Sequence, residues 1–278
     1  MSKKKLENEH RLDLPKNRKE VFFDFIKHRK MNLFTLSTFT FMFFIPLAID
    51  LFYFNYLEAI AVANEKYEYL FSLIFYSMLI MIPLMILGFI GLTGAFYVTK
   101  KMVWQEGIML ASDFFHGIKE NWLHGFINGL IFGLLLFGLV VGGSYLFIFA
   151  PIGAIWKGIG IGALILIFLF FGMVFPLEFA QAVYYSNSYF VTLKNSFAFL
   201  GLLNWRIFVT FILSTGVVVT LASLNMVTLI IGMFLFAILN SVVILLYTLF
   251  AHHAFDKYIN KEHYPEMVNK GLYIDKEA

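Results

Sequence analysis

Residues 207–251 form one unbroken run without a single Asp, Glu, Lys, Arg or His. At about 1.5 Å of rise per residue, about 45 helical residues extend more than twice the thickness of a bilayer's hydrocarbon core, about 30 Å. One crossing cannot absorb them. The run reads as a helical hairpin turning at its most polar break, residues 223–225, with spans at 207–222 and 226–250. Four further apolar runs, 33–57, 69–98, 126–150 and 158–177, are each long enough to cross. With 60% hydrophobic and 14% charged residues, the chain has too little polar surface to cover a soluble globule of 278 residues.

The expected fold class is therefore all-α: a polytopic bundle of six transmembrane helices with amphipathic interfacial helices. Residues 1–32 form a basic segment, charged and unstructured over 1–13, with a short interfacial helix from Arg18 onward. Residues 33–251 form the transmembrane domain and 252–278 a polar tail. Lys and Arg decide the orientation: ten precede the first span, and nineteen of 21 fall on the side of both termini. By the positive-inside rule both termini are expected in the cytoplasm of a multi-pass cell-membrane protein. The first run is too long, and lacks the small-residue site, for a cleaved signal.

Glycines punctuate the spans. Gly88, Gly91 and Gly94 close the second, and Gly125, Gly129 and Gly133 recur at four-residue steps into the third. That spacing strips one helix face to bare backbone, which predicts a tight helix–helix seam. Asp50 is the one ionisable residue of the first span. It is the candidate for a transport or proton-relay role, or an interfacial carboxylate reaching water. Glu178 falls at the end of the fourth span and reads as interfacial.

The longest polar break between apolar runs is 94–125. Its second half has helical period: Ala111, Phe114, Phe115, Ile118, Trp122 and Phe126 share one arc, and Asp113, His116, Glu120 and His124 the opposite one. This predicts an amphipathic helix lying on the inner membrane face before the third span. The polar arc is either an ordinary solvated face or a place where two carboxylates and two imidazoles share a divalent cation or a proton. His252, His253 and Asp256 at the start of the tail offer a second such cluster.

No cysteine is present, which excludes disulfides and thiolate chemistry. Nucleophile elbows, phosphate-cradling glycine loops, zincin motifs and nucleic-acid signatures are absent, so no cofactor and no nucleic-acid partner are expected. A short correspondence relates the two inner linkers: Phe115, Ile118, Lys119 and Trp122 match Phe190, Leu193, Lys194 and Phe197, each in a segment leading into an ascending span.

The string Gly94, Tyr97, Val98, Lys100, Lys101, Glu106, followed by Asp113, Phe114, Phe115, Lys119, Asn121 and Trp122, resembles the central segment of the YesL-like family of bacterial membrane proteins. The resemblance covers about residues 32–211. It implies a bacterial inner-membrane location and a loose association with carbohydrate uptake. Together these readings predict a non-enzymatic accessory or regulatory protein. Its partners would be the lipid bilayer and a membrane or cytoplasmic protein, the latter contacted through Asp113, Phe114, Phe115, Lys119, Asn121 and Trp122. The alternatives are a small-solute or lipid transporter using Asp50, and a metal-dependent membrane enzyme using the histidine and carboxylate clusters.

Overall fold

The computed structural model describes residues 15–66, 69–185, 187–216 and 225–273. The unstructured stretch expected at 1–13 and most of the turn expected at 223–225 lie outside them. Among the described residues there is helix and no strand. The elements are α1 (Arg18–His28), α2 (Lys30–Ala63), α3 (Leu70–Val103), α4 (Leu110–Ile148), α5 (Ala154–Tyr184), α6 (Tyr189–Phe211) and α7 (Met226–Phe255). Five helices are long and apolar enough to cross a membrane, and α6 with its π-helical continuation makes a sixth if its two bent parts form one span. The protein is thus a multi-pass helical bundle.

The helices outrun the spans drawn from hydropathy, because the chain stays helical through polar flanks that no longer face hydrocarbon. At 34 residues each, α2 and α3 are about 51 Å long, well beyond a hydrocarbon core. Asn225 caps α7, its side chain accepting from the Val227 and Thr228 amides while Thr228 bonds back. α6 departs from a plain span. Its parts Tyr189–Leu202 and Trp205–Ser214 meet at 101°, so the likeness between the two linkers ends where α6 bends and α4 continues.

The linker helix expected to lie flat on the membrane does not. Residues 110–148 are one helix, interrupted by non-helical dihedrals at Asn121 and a π turn at Gly138–Gly142, and it packs antiparallel along α3. The glycine seam dictates this. A Cβ on Gly129 would stand 2.6 Å from the Ile86 Cα, and one on Gly125 2.7 Å from the Ile90 Cα. Gly117 continues the stripe against Tyr97, and Gly94 receives Phe114 from the other side. Backbone-to-backbone approach over five turns gains dispersion contact that lipid cannot match, and it locks the linker upright.

The largest buried cluster gathers at the end of the bundle that carries α1 and the tail, here called the basic end. Phe25, Leu36, Met102, Phe114, Phe179 and Phe255 are all fully buried there. α1 docks into it through Val21 and Phe25, so the interfacial helix foreseen near Arg18 is part of the core.

Candidate functional site

Three polar or hollow features stand out inside this frame. The first ties the termini to the bundle. Arg18 donates to the carbonyls of Val103 and Lys270 at 3.3 and 3.0 Å and pairs with Asp256 at 3.2 Å. Trp104 Nε1–H donates to His252 Nε2 at 2.8 Å. An indole can only donate, so Nε2 is the acceptor and the imidazole proton sits on Nδ1, 3.0 Å from Asp256 Oδ2. Arg18, 2.9 Å from the same Nδ1, is then a neighbouring cation rather than its donor. Asn260 links Asp256 to the Tyr185 hydroxyl at 2.8 and 2.6 Å. Lys270 lies 3.5 Å from the Trp104 ring centre and 2.8 Å from Glu106. The cluster therefore fastens α1, the end of α3, α7 and the tail together.

The second is Glu178. Sequence placed it at an interface; the structure buries it completely, at 0% exposure. Its carboxylate accepts from Asn128 and from the Thr192 hydroxyl at 2.5 and 2.9 Å, and His124 Nδ1 lies 2.5 Å away. Tyr189 in turn donates to Asn128 Oδ1 at 2.8 Å. α4, α5 and α6 meet on this one carboxylate. The burial comes from the first part of α6 folding back over α5, a long-range event with no local signal.

The third is a cavity of about 310 Å³ between α3, α5, α6 and α7. Eight phenylalanines line it, among them Phe89, Phe175, Phe179, Phe211 and Phe236. Three polar side chains, Asn240, Tyr247 and Ser214, break the apolar wall. Asn240, 5% exposed, gives its amide N–H groups to the carbonyls of Ser37 and Phe236 at 3.0 and 2.9 Å. Both partners are acceptors, so the amide orientation is fixed and Oδ1 is the atom left without a partner. The Tyr247 hydroxyl is also buried, with the Ser214 hydroxyl as its polar neighbour. An unsatisfied buried polar group costs about 1–3 kcal/mol, and Asn240 Oδ1 is one in this wall. The wall reaches the bundle surface at Leu213 and Leu239, both exposed.

The residues singled out from sequence are scattered by this fold. Asp113 is held by Lys101 at 2.8 Å and caps the Met109 amide. Phe114 is core, and Asn121 is buried at the kink, donating to the Gly117 carbonyl. Of the six residues, Phe114 and Asn121 are buried and Asp113 partly so, while Phe115, Lys119 and Trp122 are exposed. The four-residue polar arc does not form one site. His116 pairs with Glu120 at 3.0 Å on the surface, while the irregular turn at Asn121 carries His124 inward to Glu178. His252 and Asp256 pair with each other, and His253 points outward. Among the described residues no three His, Cys, Asp or Glu side chains gather as a metal site. Asp50 accepts from Ser77 at 3.3 Å and takes no part in the cavity wall.

Sequence reasoning passed over Asn240 and Tyr247 and read Glu178 as interfacial. A lone amide in the middle of a thirty-residue apolar helix was the available signal for Asn240.

Fold and cavity together define a multi-pass membrane protein with a hollow, phenylalanine-lined interior. Compared with protein families, curated proteins and solved structures, the chain matches none.

Proposed function

We propose that this is a non-enzymatic, lipid-handling protein of the bacterial cell membrane, with both termini and both basic linkers in the cytoplasm. It takes the hydrophobic part of a membrane-derived ligand into the cavity between α3, α5, α6 and α7. The observation that carries this reading is the unsatisfied amide oxygen Asn240 Oδ1 in a hollow lined almost wholly by apolar side chains. The volume falls at the lower end of small-molecule sites, about 300–1,000 Å³. A ligand donor on Asn240 Oδ1 would offset the cost of burying it.

Native mass spectrometry with monoolein tests the proposal. The protein should retain the lipid, and Gly172→Ala should reduce retention. A Cβ on Gly172 collides with the tip of the Phe211 ring, and both residues line the cavity, so the substitution alters its wall. Retention that is absent in the parent protein, or indifferent to Gly172→Ala, would defeat the reading.

A second reading is accessory to another membrane system, such as carbohydrate uptake. Phe115 and Trp122 are exposed by 57% and 52%, with exposed Lys119 between them on one helical face. A photocrosslinker at Trp122 in intact membranes separates the two: a discrete protein adduct supports docking, and lipid adducts alone support a bilayer-facing stripe.

A further inference from the structure

A second hollow, about 280 Å³, lies between the same two helix segments as the mouth of the cavity. Leu202, Trp205 and Arg206 of α6 form one wall; His253 and Ala254 of α7, with Lys257 and Tyr258 just beyond it, form the other. No acidic side chain lines it. Among the described residues Arg206 and Lys257 enter no ion pair. Their charged groups instead stand over rings, Arg206 6.0 Å from the Phe250 centre and Lys257 5.0 Å from that of Tyr258. Two cations and an imidazole in one concavity, with no counter-charge, are complementary to an anion.

The two hollows follow one another along α6 and α7. On α7 the cavity wall runs from Leu235 to Tyr247, and the cationic wall begins at His253. On α6 the order is reversed, Arg206 preceding Phe211 and Ser214. From Tyr247 to Ala254 is two turns of helix, about 10 Å. Phe250, beneath Arg206, lies between them. A charged compartment thus sits one short step from an apolar one, at the basic end of the bundle.

Resting on the lipid-handling reading above, we infer that the ligand is a phosphate-headed lipid, its chain in the phenylalanine cavity and its phosphate between Arg206, Lys257 and His253. Chain and head have separate walls, so each contributes to affinity independently. A free phosphate would occupy the cationic hollow alone and lose the apolar contribution.

Competition binding in a mild detergent, read by native mass spectrometry, tests this with three probes: oleoyl lysophosphatidic acid, monoolein and inorganic phosphate. The parent protein should hold the phosphate-headed lipid at least tenfold more tightly than monoolein. The Arg206→Gln, Lys257→Gln double variant should erase that preference while monoolein binding stays within twofold. Both changed side chains are exposed, and Lys257→Gln alone, a single exposed change, should already narrow the preference several-fold. A preference that survives the double variant overturns the inference. So does displacement of the lipid by inorganic phosphate at equal concentration, which would mark a soluble-anion site. Equal binding of the two lipids by the parent protein sinks the head-group inference and leaves the cavity reading standing. Binding of neither lipid sinks both.

Discussion

Trp104 and His252, distant in sequence, meet in a 2.8 Å hydrogen bond that sets the imidazole's tautomer. Without the indole donor, Nε2 of a fully buried ring has no partner, while the Asp256 carboxylate still holds the proton on Nδ1. Trp104→Phe keeps an aromatic ring against Tyr184 and removes the N–H together with part of the indole surface under Lys270. It should cost about 1–3 kcal/mol, read as a lower melting temperature in detergent. His116→Gln, on the surface, should stay within about 0.5 kcal/mol of the parent. Equal melting temperatures for parent and Trp104→Phe would mean that the network does not hold the tail to the bundle.

The Glu178 carboxylate makes a harsher test, because three donors from two other helices converge on it. Glu178→Ala leaves Asn128, Thr192 and His124 facing a void and should destabilise by about 3–5 kcal/mol. Glu178→Gln preserves volume and one acceptor oxygen, so it should fall between Ala and the parent. If Ala and Gln prove equivalent in a thermal-unfolding series, packing rather than the carboxylate's bonds holds α4, α5 and α6 together.

The α3–α4 seam predicts opposite outcomes for two glycines of one helix. Gly129→Val would drive a branched side chain into the Ile86 backbone, which cannot yield as a side-chain tip can. Overpacking of this kind costs about 1–3 kcal/mol or more, and the variant should lose its monodisperse gel-filtration peak. Gly138→Ala meets nothing within 4 Å and should be neutral or stabilising, since alanine is the better helix former by about 1 kcal/mol. A monodisperse Gly129→Val would refute the close approach.

What the sequence disclosed and what it hid divide along one line. Period and hydropathy are local, so the apolar helices, the start of α7 at residue 226 and the seam at Gly125, Gly129 and Gly133 could all be read directly. The upright linker could not. A helical wheel assumes 100° per residue, and the dihedrals of Asn121 break that assumption, so His124 leaves the arc shared by Asp113, His116 and Glu120. Glu178 was misplaced for a different reason: its burial depends on Thr192 arriving from α6. The cavity is least legible of all, being the space several aromatic helices fail to fill.

The Tyr185 hydroxyl, just past the end of α5, supplies a pH test. Burial foremost, with Asp256 nearby, raises its pKa well above the ordinary value of 10.0, although its bond to Asn260 works the other way. A tyrosine that keeps its proton longer when folded contributes stability fully present below pH 10. Above pH 10 the unfolded chain releases the proton first, and stability falls as pH rises. Tyr185→Phe should therefore flatten the alkaline limb of a melting-temperature profile, and an unchanged slope would show that the hydroxyl is solvated.

Orientation in the membrane can be settled with the chain's own lack of cysteine, since any introduced thiol is a unique reporter. Glu120, half exposed on the extension of α4, lies at the basic end, and exposed Lys66 lies just after α2 at the other. The excess of Lys and Arg on the first side predicts a cytoplasmic position for it under the positive-inside rule. A membrane-impermeant maleimide should label Lys66→Cys in intact cells and Glu120→Cys only after permeabilisation. The reverse pattern would turn the molecule over. The cationic hollow at Arg206 and Lys257 would then face the outer leaflet, and its phosphate-headed ligand would have to be drawn from that leaflet.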